Sequence, residues 1–555
     1  MAELLMGDEA VALAAIHSGI RGAFSYPGTP ATEIFEYVEA CVRGRQDVSA
    51  RWSPNEKVAY EEALGMSFAG FRALVSMKHV GLNVAADPFM SSALTGANGG
   101  LVLAVADDPG MHSSQNEQDS RVYGQFAQIP VFEPANQQEA YDMTREAFEL
   151  SERFGVPVMV RLVTRLAHSR ANVVTRPATE PKPLPRVTNA REWTLLPSNA
   201  RPRYARLLDL QDSFADHARS SPYNRLELRG GKGVIASGIA YSYTREVLGR
   251  DSNTSMLKIG AYPVPAALVR ELVDHCDQVT VIEEGFPFIE RQLTGLLGVP
   301  GKLIRGKQDG TLPRQGELSA DLVRTALGLP ETHHRTSMAG LPGRPPQLCA
   351  GCPHCDAYHA IREAVGDDPR PFMFGDIGCY TLAALPPYNA IDTCVDMGAS
   401  ISMAMGAARA GMHPVIATIG DSTFIHSGLN SLVAAARDDL NMTLFVLDNA
   451  TVAMTGGQAV FATGDDMVAL IRGLGVSEEH LHRIEPVSRN LARNVEIIRK
   501  EIHHRGLSVI VACRPCIHVR KEKPSAGSKE SGTTPGGSAA PAASGDVPLT
   551  VQSAE

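Results

Sequence analysis

Val415–Gln458 reads VIATIGDSTFIHSGLNSLVAAARDDLNMTLFVLDNATVAMTGGQ. An apolar run, Val415–Ile419, ends in Gly420-Asp421-Ser422, and a stretch rich in Ala and Leu follows. A second apolar run, Asn441–Leu447, ends in Asp448-Asn449. Strand, helix, strand in this order is the unit of a parallel sheet, whose ligands sit beyond the carboxyl ends of the strands. Gly420 lets the backbone approach a phosphate, and Asp421 supplies a hard carboxylate oxygen for Mg²⁺. Asn449, 28 residues after Asp421, can add a side-chain oxygen, and the carbonyl of Thr451 another. Diphosphate oxygens and water would complete an octahedron. Thr455-Gly456-Gly457-Gln458 then offers backbone N–H groups and a hydroxyl for phosphate. The plainer alternative is two ordinary strands closed by turn-forming Gly-Asp and Asp-Asn; the TGGQ run weighs against it.

Working outward, the chain has 555 residues, enough for roughly three to five domains. Hydrophobic residues make up 44% and charged residues 20%, which excludes global disorder. A net charge of −9 argues against a duplex nucleic-acid binder. Met1–Ile20 carries Glu3, Asp8 and Glu9 and no basic leader, so it reads as an amphipathic helix rather than an export signal. No run approaches the roughly 18 apolar residues of a membrane span. A cytoplasmic protein is expected, and clustered cysteines then suggest metal rather than disulfide.

Residues 1–169 alternate helical patterns with the strand candidates Gly22–Tyr26, Ala73–Met77 and Leu101–Ala106, a doubly wound parallel α/β domain. Residues 170–231 are rich in proline and arginine and read as a connection with one helix near Tyr204–Ser220. Residues 232–330 form a smaller α/β unit with strands near Lys232–Ala236 and Gln278–Glu283. A second linker, 331–347, precedes the α/β domain at 348–518. Residues 519–555 read as a disordered tail, with Pro524–Glu555 mostly Gly, Ser, Ala, Pro and Thr.

A diphosphate loop of this kind resembles the thiamine-diphosphate motif, with Ser422 in place of the usual third-position Gly, a departure many relatives share. Such enzymes need a second domain whose glutamate hydrogen-bonds N1′ of the aminopyrimidine. Glu56 opens the helical run Asn55–Gly70 directly after a loop and is the candidate; Glu61 and Glu62 read as a solvated face. By itself Glu56 is an N-terminal helix charge favoured by the macrodipole. The diphosphate loop's need for a partner domain makes it more than that.

Together these motifs resemble the 2-oxoacid:ferredoxin oxidoreductases, their indolepyruvate-type alpha subunits above all. The resemblance covers about residues 5–518. It rests on YPGTPATEI (Tyr26–Ile34), NEKVA (Asn55–Ala59), MKHVGLNVAADPFM (Met77–Met90) and ADDPGMHSSQNEQDSR (Ala106–Arg121). In the last domain it adds CAGCPH (Cys349–His354), GDIGCYTL (Gly375–Leu382) and MGASI (Met397–Ile401). It implies a two-domain thiamine fold with a transketolase-C-like unit at 232–330. It also implies a reaction: the thiamine ylide adds to a 2-oxoacid, CO₂ leaves, two electrons pass singly to iron–sulfur clusters, and coenzyme A takes the acyl group. An aryl 2-oxoacid such as indolepyruvate or phenylpyruvate is the implied substrate.

By motif position Glu56 becomes the N1′ glutamate, and Asp421, Asn449 and Thr451 the Mg²⁺ ligands. Thr29 resembles the threonine that touches the substrate carboxylate. His79 and His112 are expected on loops facing the same cleft, although a loop histidine is more often merely exposed. Seven of the nine cysteines lie after residue 348. Cys349, Cys352 and Cys355 could bind zinc or iron–sulfur, or be unmetallated. The resemblance implies a [4Fe-4S] cluster on Cys349, Cys352, Cys379 and Cys516, with Cys355 or Cys513 as possible substitutes. Cys41, Cys276 and Cys394 read as buried small apolar residues.

Related alpha subunits usually end in a ferredoxin domain with CxxCxxCxxxCP runs, which this sequence lacks. A hetero-oligomer is therefore expected. One partner would be a smaller beta-type subunit, and a separate electron-transfer subunit would carry clusters or flavin. Two alternatives remain: a non-oxidative thiamine-dependent decarboxylase or carboligase, and a silent scaffold subunit.

Overall fold

A computed structural model of the chain describes residues 2–180, 183–185, 193–249, 252–330, 346–366 and 371–519. The expected tail beyond residue 519 and most of the linker at 331–347 lie outside the described residues. Among the described residues four sheets carry the fold.

The first sheet has seven strands, in the order Ala261–Tyr262, Val131–Phe132, Val158–Val163, Leu101–Asp107, Ala73–Lys78, Gly22–Ser25 and Ser49–Trp52. Six run parallel, and Ala261–Tyr262 joins antiparallel from the second unit. The central strands are mostly apolar and buried on both faces, as a parallel sheet covered by helices requires. The second sheet orders Leu303–Arg305, Gln278–Ile282, Lys232–Ser237, Ser255–Ile259 and Arg225–Glu227, the last antiparallel. The third is wholly parallel: Phe372–Phe374, Val415–Gly420, Met442–Asp448, Leu507–Cys513 and Leu481–Ile484. Its strands split by period two. Ile416, Phe445, Leu447 and Ile510 pack into one core, and Ala417, Ile419, Leu444, Val446 and Val511 into the other. The molecule is a multidomain α/β protein of parallel sheets layered with helices.

Several local expectations are corrected. Residues 2–6 are a strand paired antiparallel with Arg170–Val174, and the helix starts only at Gly7. That helix, Gly7–His17, is not amphipathic, because Ala10–Ala15 are all buried beneath neighbouring helices. The segment 170–231 holds two helices, Pro197–Asp209 and Gln211–Ser220, whose buried Leu207 and Phe214 join the first core. Of the three cysteines expected inside, only Cys276 is buried; Cys41 and Cys394 are exposed.

The first and second units are fused by more than a strand. One apolar core runs through both, from Leu5 to Ile289. At their junction sit Arg121 and Arg161, both fully buried. Arg121 pairs with Asp119 at 2.5 Å and Glu283 at 3.0 Å; Arg161 pairs with Asp107 at 2.7 Å and Glu133 at 2.5 Å. Burial pushes the Glu283 carboxyl up to about 6, against the pull of Arg121.

Candidate active site

The C-terminal ends of strands from the first and third sheets face one cleft, which encloses about 960 Å³ of empty space, open solvent at its mouth included. From the first sheet come the loop Tyr26–Thr29, Glu56 and Lys78. From the third come Gly420, Asp421, Ser422, Asn449, Thr451 and Thr455. The sequence-based pairing of the two motifs thus has a geometric counterpart.

Asp421 is buried at the end of its strand. Its Oδ1 accepts from the Ser422 N–H at 2.7 Å, and its Oδ2 from Ala450 N–H at 2.8 Å and Asn449 N–H at 3.2 Å. Burial, and then the neighbouring Asp448 carboxylate, push Asp421 up to about 8. A carboxylate made this costly by its surroundings fits a site built to hold a cation. Ala450 takes a positive φ of 61°, folding the chain so that Asn449 and Thr451 stay beside Asp421. The Thr455–Gln458 turn differs from expectation. Gly456 and Gly457 have φ of 126° and 90°, and neither lines the cleft. The Gly457 N–H is taken by the Val452 carbonyl at 3.0 Å. Gln458 instead bridges to the first unit, donating to Glu36 Oε1 at 2.9 Å. Ser422 also bridges, with its hydroxyl 2.8 Å from that of Tyr26.

Glu56 is the first residue of the helix Glu56–Phe68, whose N-cap Asn55 accepts from Val58 N–H. The same Asn55 side chain donates across the cleft to the His426 carbonyl at 3.0 Å. Glu56 itself is 4% exposed, and its Oε2 lies 2.8 Å from His426 Nε2. Gly81 leaves the room: a Cβ there would stand 2.6 Å from Glu56 Oε1. Glu61 and Glu62 are exposed, as expected.

Thr29 lines the cleft, but the two loop histidines do not. His79 is buried with Nε2 3.1 Å from the Asn116 carbonyl, because it opens the helix His79–Val84 beneath that loop. His112 is half exposed and turns to Glu317 of the second unit at 3.5 Å. Three lining or adjoining residues escape the sequence reading. Lys78, beside Thr29, donates to the Ser113 carbonyl at 3.0 Å, and burial lowers it to about 8. His426 contacts Glu56. His354 is buried with both ring nitrogens unpartnered, and burial lowers it to about 4. Each lies inside a quoted motif, so the residue type is visible in the sequence; its direction is not.

The cysteines gather beside His354. Burial raises Cys379 to about 12, and the next causes are Cys352, Cys516 and Cys349, in that order. These four thiols are therefore neighbours. Cys355 stays near Cys352, whereas Cys513 is directed to Asp448 and Arg483. Cys349, Cys352, Cys379 and Cys516 thus lie on one side of the unit, and Cys513 is turned away from them.

Two parallel-sheet units that meet on a cleft, one bringing the buried Glu56 and the other the Asp421 loop, have the architecture of a thiamine-diphosphate enzyme of the 2-oxoacid oxidoreductase class. Residues 13–206 match the family described as pyruvate flavodoxin/ferredoxin oxidoreductase, thiamine diP-binding. Residues 376–512 match the thiamine pyrophosphate enzyme C-terminal TPP binding domain. The chain is 39% identical to indolepyruvate oxidoreductase subunit IorA of Archaeoglobus fulgidus, over 92% of this chain and 86% of that one. It is 38% identical to the same subunit of Methanothermobacter thermautotrophicus, with equal coverage, and 37% identical to that of Pyrococcus abyssi, covering 92% and 85%. The chain belongs to the IorA family of indolepyruvate oxidoreductase subunits and is a 2-oxoacid oxidoreductase. Among the described residues no helix is long and apolar enough to cross a membrane.

Proposed function

We propose that the chain is the thiamine-binding subunit of a complex that oxidises an aryl 2-oxoacid, with coenzyme A, to acyl-CoA and CO₂. The balance is one 2-oxoacid and one coenzyme A thiol consumed, and one acyl-CoA, one CO₂, two electrons and one proton released. The cleft shared by Glu56 and the Asp421 loop carries this reading. The name of the relatives and the apolar lining residues Val80, Ile377 and Met397 support an aryl side chain.

Asp421, Asn449 and the Thr451 carbonyl would hold Mg²⁺ against the diphosphate. Thiamine diphosphate, when bound, supplies the nucleophilic carbon and the electron sink for decarboxylation. Glu56 holds and returns a proton at its carboxyl group, within hydrogen-bond reach of His426. Their contact lets that proton be shared between Oε2 and Nε2 without leaving the buried cleft. Lys78 is the one cation among the lining side chains, apart from histidine. We assign it, with Thr29, to the substrate carboxylate. His79 and His112 have no part in this reading.

Cys349, Cys352, Cys379 and Cys516 would hold a [4Fe-4S] cluster, with Cys355 the nearest substitute. Such a cluster accepts electrons singly. A beta-type subunit and a further electron carrier would complete the assembly, in line with the subunit names of the relatives. All nine cysteines are free, which suits a reducing cytoplasm.

An anaerobic assay of the co-purified complex against a panel of 2-oxoacids, with and without coenzyme A, tests the proposal. Acyl-CoA formation coupled to acceptor reduction, fastest with aryl substrates, is the expected result. Aldehyde release without any acceptor would establish the non-oxidative alternative instead.

A further inference from the structure

Away from the cleft, three helices bring Asp8, Glu33 and His168 together. Asp8 stands in the first turn of Gly7–His17, Glu33 in the first turn of Thr32–Val42, and His168 ends Thr164–His168. One donor atom from each lies within 4.8 Å of the other two, and His168 Nε2 is 3.5 Å from Glu33 Oε2. The approach is enforced by packing: a Cβ on Gly7 would stand 2.3 Å from the Leu166 carbonyl oxygen, so the first and third helices touch backbone to backbone there.

Asp8 is the independent observation. It is fully buried, and neither carboxylate oxygen has a hydrogen-bond partner. Glu33 Oε2 has only the His168 ring nitrogen near it, at 3.5 Å. An unpaired carboxylate in such a place is costly to bury. Its carboxylate neighbours, Glu33 and Glu9, add to that cost, and burial together with them holds its carboxyl well above the usual carboxylate range. The cation nearest in sequence to His168 on its C-terminal side, Arg170, is 3.5 Å from Glu9. His168 and Glu33 are each about one-third exposed, so the cluster is closed by protein on the Asp8 side and open to water on the other.

We propose that Asp8, Glu33 and His168 bind a divalent first-row transition-metal ion of the Zn²⁺ or Mn²⁺ kind, with water filling the open positions. Two carboxylate oxygens and one imidazole nitrogen, facing solvent on one side, are a suitable donor set for such an ion. Two negative charges and a neutral imidazole would balance it. The site is structural: Glu33 sits four residues after Thr29, and Glu36 on the same helix meets Gln458. A bound ion would tie that helix to the N-terminal helix and so brace the Thr29 loop. This site shares no ligand with the cleft and stands apart from the reading of it given above.

The test uses the full chain after chelation and without thiamine diphosphate, in an Asp421→Asn background that removes the other carboxylate site. Free Mn²⁺ is followed by its electron paramagnetic resonance signal. One Mn²⁺ bound per chain, displaced by Zn²⁺ and weakened at least ~30-fold by Asp8→Asn, is the expected result. That substitution keeps the side chain's shape and adds a donor toward Glu33, so folding should persist; circular dichroism checks this. Should the variant misfold, His168→Gln, at a partly exposed position, takes its place. No Mn²⁺ uptake, or uptake unchanged in the folded variant, would overturn the proposal.

Discussion

Replacing Lys78 with methionine is expected to make the protein more stable and a poorer enzyme. Burial lowers Lys78 from its ordinary 10.5 to about 8, opposed by the carboxylates of Asp108 and Glu56. Because the folded value is the lower one, the unfolded chain binds more protons between pH 8 and 10.5. Stability therefore rises with pH through that window, and at pH 7 the buried charge is a burden. The difference, 10.5 minus about 8, corresponds to about 3 kcal/mol. Losing the charged hydrogen bond to the Ser113 carbonyl offsets about 1.5–3 kcal/mol of this, leaving the variant up to about 1.5 kcal/mol more stable at pH 7. That advantage should shrink toward pH 10. In the assembled enzyme, a charged hydrogen bond to the substrate carboxylate is worth about 1.5–3 kcal/mol, so kcat/KM should fall by roughly 10- to 150-fold. In the wild type kcat/KM should decline above about pH 8, as the lysine loses its charge. Paired urea titrations at pH 7 and 10, with kcat/KM profiles against one 2-oxoacid, measure both arms. Equal stability at pH 7 together with kcat/KM within about threefold of wild type would refute the assignment.

Three further outcomes are expected. Glu56→Gln should slow thiamine C2 proton exchange by about 10²–10⁴-fold, read by NMR in deuterated buffer; full exchange would move the activating role to another group. Cys379→Ser should lose cluster iron after anaerobic purification, whereas Cys513→Ser should keep it, because Cys513 is directed to Asp448 and Arg483. Arg161→Met leaves the Asp107 and Glu133 carboxylates buried without their cation and should cost about 3–5 kcal/mol in chemical denaturation; a change under about 1 kcal/mol would mean that those carboxyls are protonated.

Strands such as Leu101–Asp107 and Val415–Gly420 are legible in the sequence because they are short apolar runs closed by polar or turn residues, whereas Ser49–Trp52 and Val158–Val163, which carry Arg51 and Arg161, are not. Glu56 is legible through its place after a capping asparagine, and Asp421 through its place at a strand end. Lys78, His354 and His426 are not. A lysine or histidine at the end of a strand or in a helix reads as exposed until the unit across the cleft covers it. The two misplaced histidines fail for the mirrored reason: His79 opens a helix beneath the loop, and His112 turns toward Glu317. The strand Ala2–Met6 is hidden because it pairs with residues 170–174, a partner no local pattern announces.

The strand Ala261–Tyr262 has a consequence for how the chain is made. Its partner, Val131–Phe132, leaves the ribosome 130 residues earlier (262 − 132), a delay of roughly 6–26 s at about 5–20 residues per second. Through that interval the first sheet has an uncovered edge, and Arg121 lacks the Glu283 carboxylate it will pair with. An exposed edge invites pairing with another chain. Nascent first units are thus most open to misassociation in the period before residue 284 emerges. A stall or truncation within 133–260 would strand the protein there, while one beyond residue 330 would leave the fused pair of units able to close.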